Sequence, residues 1–321
     1  MTDLASPGGA PPLLTARGAR VAVDDVIAIP DLTVTTRGDR VLFVGDVTVL
    51  FAALSGVPLI AASTEAPPGE LTLAGEARVA SGELRLLGHD VATQAHLAVA
   101  GFAPLDPPVP KTMTAIAYVE WAARLAGIRP RAANEMAAGA LHKMGMLRSA
   151  NRMCATLAPA ERRALQLAKA IAHDPQAVVA EAPLDRLEGD AASFVMNALA
   201  VATEGRKALL SARRVDPGTL EGTIARSATQ LVFLGEGGVV AEGAPSSFTG
   251  DARVYRLTVA TNAEALREAL ATRGLRLDDG TGRAGGVHFT VALPEGTTTA
   301  PLIEAASEAR SAVVEMVPLI G

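Results

Sequence analysis

The chain has 321 residues and a formal net charge of −5, and this length allows one large domain or two smaller ones. Hydrophobic residues make up 49% of the chain and aromatic residues only 3%, so we expect an aliphatic core. The absence of a dense run of Lys and Arg argues against nucleic acid as the main partner. Cys154 is the only cysteine, which excludes a disulfide framework and a cysteine-rich zinc site and suits a reducing cytoplasm.

Two stretches resemble targeting or membrane segments at first sight. Residues 1–12 have neither a basic n-region nor an apolar h-region, so we predict a flexible tail and no signal peptide. Residues 41–62 contain a single charge, Asp46, but glycines and Pro58 interrupt them. Because membrane spans are cleaner apolar runs, this stretch favours a buried strand followed by a buried helix, with no integral membrane segment.

The first part of the chain is rich in predicted strands. Residues 19–45 alternate apolar and polar side chains, which predicts a β-meander with turns at Pro30 and Gly38. This meander leads into the first core strand, the apolar run Val41–Val44, and residues 62–91 form a second segment rich in strands and turns.

Helices follow in the middle of the chain. Residues 112–128 predict a helix that carries the only tryptophan, Trp121, as a packing anchor. A clearer helix covers residues 158–175, on which Arg162 and Arg163 are expected to face solvent. The apolar side predicted for the first of these helices consists of Ile116, Val119, Ala123, Leu125 and Ala126.

Strands and helices alternate after this point. The predicted elements are a buried strand over 176–183, a helix over 190–205, a strand over 206–214 and a hairpin over 229–243. This alternation indicates an α/β fold with a mainly parallel sheet. Residues 251–321 follow a β-α-β-α-β pattern, which predicts a small accessory α+β domain.

The sequence "VLFVGDVTVLFAALSG" poses the central question about function. A strand, a glycine and a helix begin a phosphate-binding loop, but only Asp46, Val47 and Thr48 lie between Gly45 and the apolar start of the helix. That loop normally needs several glycines, a lysine and a Ser or Thr. We therefore ask whether the chain still binds a nucleotide.

Residues 13–250 resemble the ATP-binding subunit of an ABC transporter. The segments that carry the resemblance are "SGELRLLGHDV", "LAPAERRALQLAKAIAHDP", "EAPLDRLEGDA" and "LVFLGEGGVVAEGAP". The resemblance implies a P-loop ABC-ATPase fold with a mainly parallel core sheet, an antiparallel β-subdomain and a helical subdomain. Residues 251–321 resemble the C-terminal domains of some drug and polysaccharide exporters.

The resemblance implies that the nucleotide loop is shortened. Gly45 and Gly56 are 11 positions apart, which is about four fewer than the family spacing. Val47 then takes the place of the lysine that neutralises the β- and γ-phosphates, and Asp46 lies where glycine N–H groups would surround them. Thr48 falls at the magnesium-binding Ser/Thr, although we expect it to be a helix N-cap instead.

Other family positions are also changed. Leu105 stands at the Q-loop glutamine, and Glu181 keeps a carboxylate at the magnesium aspartate. Ala182 replaces the general-base glutamate and cannot polarise water. Arg213 replaces the switch histidine and cannot accept a hydrogen bond. Glu188, in the D-loop segment, belongs to the same degenerate set.

The signature loop departs from the family in the same way. It consists of Leu157, Ala158, Pro159, Ala160 and Glu161. Ala158 removes a hydroxyl, and Pro159 removes an N–H group and places a ring where a phosphate would approach. Proline is a good first helical residue, so the helix is kept while its ligand site is lost.

Three hypotheses follow. The chain is a catalytically inactive ATPase-like subunit that acts as scaffold or regulator through a membrane permease, a true ATPase or a second copy. Alternatively, it is a weak nucleotide binder or slow ATPase that uses Thr48 and Glu181, or a structural component of a larger envelope machine. We expect no catalytic residues, no metal site, ATP and magnesium bound at most weakly, and a cytoplasmic location at the inner face of the membrane.

Overall fold

The computed structural model describes residues 11–59, 75–235, 237–248, 253–277, 281–283, 286–294 and 296–320. Most of the predicted tail over residues 1–12 and the first part of the predicted segment 62–91 lie outside the described residues. In the part of the chain that is described, no helix combines the length and apolar character needed to cross a membrane.

Two sheets and a set of helices are built from the first 248 residues. The strands are β1 (Leu14–Val23), β2 (Val26–Thr35), β3 (Arg40–Gly45), β4 (Ala77–Leu86), β5 (His89–Asp90), β6 (Ala100–Ala103), β7 (Ala177–Ala180), β8 (Lys207–Ala212), β9 (Gln230–Leu234) and β10 (Val239–Gly243). The helices are α1 (Thr48–Ser55), α2 (Ala115–Leu125), α3 (Pro130–Lys143), α4 (Pro159–Ile171), α5 (Gly189–Thr203) and α6 (Leu220–Ser227).

The first sheet is antiparallel, with strand order β2-β1-β4-β5. The turn predicted at Pro30 is wrong, because Pro30 lies inside β2. β2 is an edge strand, where a residue without an N–H group is tolerated. The hairpin turn instead falls at Asp24 and Asp25, between β1 and β2.

The second sheet is the central one and has strand order β10-β9-β3-β8-β7-β6. Neighbouring strands from β9 to β6 run parallel, and β10 pairs antiparallel to β9. Both faces of β3 are covered, which explains why Val41–Val44 is a continuous apolar run and why its prediction as a buried strand is confirmed. One face of the central sheet packs against the first sheet and α1 in one apolar cluster. The opposite face packs against α2 to α6 in a second apolar cluster.

Helices α2, α3 and α4 pack together beside this sheet. The assignment of Leu125 to the apolar side of α2 is wrong, since Leu125 is largely exposed. It follows Ala123 by two positions, and at 100° per residue it therefore points away from the buried face. Helices α3 and α6 are absent from the predicted set.

A third sheet forms near the C-terminus. Its strands are β11 (Arg253–Thr261), β12 (Arg276–Leu277), β13 (Thr281–Arg283), β14 (Gly286–Leu293) and β15 (Ala312–Ile320), and its helices are α7 (Ala263–Thr272) and α8 (Ala300–Glu308). The main order β12-β14-β11-β15 gives a split βαβ arrangement with its own apolar core. Val254 and Leu319 instead join the apolar cluster of the central sheet.

Candidate functional site

The connection between β3 and α1 is very short. Asp46 and Val47 alone separate Gly45, the last residue of β3, from Thr48, the first of α1. Gly45 has a φ of 121°, and a Cβ at this position would lie 2.3 Å from the carbonyl oxygen of Leu234. Only glycine is accommodated there, so the chain passes tightly against β9 before the helix begins.

Val47 is buried at the start of α1. Its residue surface is 4% exposed, and it belongs to the apolar cluster that includes Leu50, Phe51 and Leu54. The side chain of Val47, which the resemblance aligns with the family lysine, is therefore part of the core. Asp46, one residue earlier, is exposed.

Thr48 does not cap α1, and the expectation that it does is wrong. Val47 occupies the N-cap position, and Thr48 is the first helical residue. The Thr48 side chain lies close enough to the carboxyl group of Glu181 to lower the pKa of that group, and the backbone N–H group of Thr48 donates to Asp46 Oδ1 at 3.3 Å. The Thr48 hydroxyl therefore lies beside this carboxyl group, and α1 has no side-chain hydrogen bond at its N-cap.

Glu181 is the centre of this cluster. It follows β7, is 7% exposed, and accepts a hydrogen bond from the N–H group of Leu105 at 2.9 Å. Burial raises the pKa of Glu181 to about 7, and the charge of Asp46 acts in the same direction. The bonds from Leu105 and Thr48 and the charge of Arg163 oppose this shift. The structure thus brings together Asp46, Thr48, Leu105 and Glu181.

Arg163 is a residue that the sequence interpretation misplaced. It was expected on the solvated face of α4 but is buried, whereas Arg162 is half-buried. Its Nη1 lies 3.0 Å from Oδ1 of Asp106, and its Nη2 donates to Oδ2 at 3.2 Å. Arg163 precedes Leu167 by four positions on the buried side of α4, and this spacing is the signal that could have placed it.

Ala182, Glu188 and Arg213 line a cavity next to the Glu181 cluster. This cavity, of about 290 Å³, is lined by residues 182–188 on one side and by residues from Ser211 to Ile224 on the other. The N–H group of Ala182 donates to Ser211 Oγ at 2.8 Å. The Nε of Arg213 lies 3.4 Å from Oδ1 of Asp185, so this arginine forms an ion pair across the cavity.

The signature positions form the start of α4. Ala158 is the N-cap and Pro159 the first helical residue, both exposed, while Leu157 is buried and Ala160 half-buried. Glu161 reaches back and accepts the N–H group of Ala158 at 2.9 Å.

Glu161 is also held from the other side. Its carboxylate accepts a hydrogen bond from the Ser149 hydroxyl and one from Arg152 Nη1 at 2.7 Å. Burial alone would raise the pKa of Glu161, but these bonds, the Ala158 N–H group and the charge of Arg152 hold it below its ordinary value. The first turn of α4 is thereby tied to the segment that precedes it.

Two single residues complete the comparison with the sequence. Cys154 is fully buried, which confirms its prediction as a small core residue. Trp121 stacks on Tyr118 with ring centroids 6.0 Å apart, as expected for a packing residue. About half of its surface is nevertheless exposed, at 48%, so it is not the buried anchor that the sequence predicts. Among the described residues, no group of three or more His, Cys, Asp or Glu side chains could hold a metal ion.

The chain is similar in sequence and in fold to known ATP-binding proteins. No protein-family model matches the chain. The human phospholipid-transporting ATPase ABCA7 is 30% identical over 146 residues, which are 44% of this chain and 7% of that protein. The rat ATP-binding cassette sub-family A member 7 is 26% identical over 197 residues, 60% of this chain and 9% of that protein. The chain thus spans less than a tenth of the length of the curated relatives it matches.

Solved structures show the fold. The ATP-binding subunit of an ABC transporter gives a TM-score of 0.54 at 15% identity and covers 82% of this chain and 95% of its own. A dimeric ATP-binding cassette in a post-hydrolysis state, bound to ADP and Pi, gives 0.55 at 14% identity and covers 72% and 98%.

The chain therefore has the fold of the ATP-binding domains of ABC transporters, which confirms the predicted α/β fold class. The sequence similarity to the ABCA7 proteins agrees with that fold.

Proposed function

We propose that the chain is a catalytically inactive ABC ATPase-like subunit that works through protein contacts. The observation that carries this proposal is the connection between β3 and α1, where two residues replace a glycine-rich loop and Val47 is buried at the lysine position. Two residues offer too few N–H groups to surround a triphosphate, and no ammonium group neutralises its charge. The residues present do not fit ATP and magnesium in the manner that the resemblance implies.

The signature loop supports the same proposal. Pro159 has no N–H group to offer, and the carboxylate of Glu161 lies against the N–H group of Ala158. Ala158 also has no hydroxyl group, so this helix start lacks two of the groups that the resemblance implies for holding a phosphate.

The remaining chemical positions add further support. Ala182 has no group that could activate water. Arg213 is paired with Asp185 and stays protonated, so it offers no hydrogen-bond acceptor. Glu188 is exposed at the rim of the cavity.

One observation favours a second candidate, a weak nucleotide binder or slow ATPase. The Thr48 hydroxyl and the Glu181 carboxyl group remain adjacent, where the resemblance places magnesium. In the first proposal this carboxyl group has a structural role, because it accepts a hydrogen bond from the N–H group of Leu105 and so holds the loop that leads to α2.

We further propose what the subunit binds and where. One relative is named a phospholipid-transporting ATPase, and one solved relative is dimeric. By analogy, residues 13–250 would bind a membrane permease, an active ATPase or a second copy at the inner face of the membrane, and residues 251–321 would be an accessory domain. Trp121, half-exposed on α2, is a candidate contact residue.

Co-purification tests this proposal. The full tagged chain is isolated from detergent-solubilised membranes of its source cells, with and without ATP and magnesium. We expect a polytopic membrane protein or an ATPase with intact nucleotide motifs to be retained in near-stoichiometric amount, equally in both conditions. We expect Trp121→Asp to lower the retained amount about tenfold, as for an aromatic residue at the centre of an interface.

Ile303→Asp is the matched control, because Ile303 is an exposed apolar residue on α8. It should leave retention unchanged. Recovery of the chain alone would contradict a subunit role. Retention that requires ATP and magnesium, and that Glu181→Ala abolishes, would favour the second candidate.

A further inference from the structure

The loop between β8 and α6 connects the cavity to the third sheet. It carries Arg213, Arg214 and Asp216, and it forms one side of the cavity whose other side is residues 182–188. Arg213 is paired with Asp185, and Arg214 is paired with Asp216 two residues later. Both arginine side chains are about half exposed, and exposed ion pairs of this kind hold a loop only weakly.

Val215 is the buried residue that ties this loop to the third sheet, while the carbonyl oxygen of Pro217 accepts a hydrogen bond from Arg226 of α6 at 2.6 Å. The N–H group of Val215 donates to the carbonyl oxygen of Leu319, on β15, at 2.8 Å. Its side chain is buried, and it belongs to the same apolar cluster as Leu319, Val254 of β11 and Ile224 of α6. Ile224 also lines the cavity. The third sheet thus holds the loop by a backbone hydrogen bond and by an apolar layer beneath the cavity.

This contact uses a free sheet edge. β15 pairs with β11 on one side only, and the outer edge of such a strand presents unpaired N–H and C=O groups. The carbonyl oxygen of Leu319 meets the loop from that edge. Since the flanking ion pairs are weak, the position of Arg213 depends on the docking of β15.

We propose that the third sheet is an intramolecular clamp for the loop that carries Arg213. While β15 is docked, Val215 is fixed and Arg213 stays beside Asp185, which keeps the cavity narrow. When β15 is released, the loop becomes free and the cavity opens. An event that moves residues 253–320 is thereby passed to residues 182–188, whether or not the chain binds a nucleotide.

Leu319→Asp tests the clamp in the full chain, because a buried carboxylate undocks the strand that carries it. Two measurements follow the loop: amide exchange over residues 213–221, and the rate of trypsin cleavage after Arg213 and Arg214. Both should rise at least about tenfold, the effect expected from the loss of one buried leucine. Exchange in β8 should stay at the wild-type rate.

Val314→Asp is the matched control, since Val314 is exposed on the same strand and receives the same charge. It should leave both rates within about twofold of wild type. Leu319→Ala is the second variant and should raise both rates if Leu319→Asp prevents folding. Unchanged loop rates in Leu319→Asp or, where that variant does not fold, in Leu319→Ala would overturn the proposal, as would an equal rise in Val314→Asp.

Discussion

Replacing Val47 by lysine is expected to lower the free energy of unfolding by about 3–5 kcal/mol, the usual cost of a buried charge without a partner. Val47 lies in an apolar cluster at the start of α1, where an ammonium group would meet leucine and phenylalanine side chains. The substitution restores the residue that the family uses and nevertheless should not create ATP binding. Chemical denaturation and calorimetry of the same preparation measure both quantities.

Asp46→Lys is the control for Val47→Lys. It adds a lysine one position earlier, on an exposed residue. Its effect on the free energy of unfolding should stay within about 0.5 kcal/mol, as for ordinary surface substitutions. A stable Val47→Lys variant that binds ATP would show that the loop can rearrange into a nucleotide site, contrary to our account.

Replacing Glu181 by glutamine is expected to stabilise the protein at pH 8 by about 3 kcal/mol. The pKa of Glu181 is raised from 4.5 to about 7 by burial, and each unit of such a shift is worth about 1.4 kcal/mol. The folded state therefore holds the carboxyl proton more tightly than the unfolded state. The stability that Glu181 contributes is fully present below about pH 4.5 and is lost as the pH rises through about 7.

The Glu181→Gln variant should remove this part of the pH dependence. Its amide oxygen can still accept the hydrogen bond from Leu105, while the side chain carries no charge that burial would penalise. Denaturation curves from pH 4 to pH 8 should converge at the acid end and separate at the alkaline end. Glu188→Gln, at an exposed position, should follow the wild-type curve. A destabilised Glu181→Gln at pH 8 would contradict the prediction that burial penalises the charged form of this carboxyl group.

Most of the central sheet could be predicted from sequence because its strands are short apolar runs, and β6 (Ala100–Ala103) is the strand that the prediction omits. Val41–Val44 and Ala177–Ala180 are both fully covered, and a run without polar side chains requires such an environment. Pro30 shows the limit of local signals, because its effect depends on β2 being an edge strand. Neither a turn propensity nor a hydrophobic pattern contains that information.

The candidate site could be predicted only in part. The resemblance identifies the positions of Glu181 and Thr48, but their proximity brings together two distant segments of the chain. Arg163 and Asp106 are likewise 57 residues apart, and their pairing depends on how α4 packs against the loop after β6. Contacts of this kind follow from the tertiary structure, which a single sequence read by local patterns does not supply.

Calorimetric titration of the full chain with ATP and magnesium tests the central claim most directly, with Glu181→Ala as the control variant. Our account predicts no binding at millimolar nucleotide for either protein, because Val47 fills the lysine position and the loop has two residues. Micromolar binding by the wild-type chain, lost in Glu181→Ala, would show that the shortened loop forms a working nucleotide site and would contradict the account.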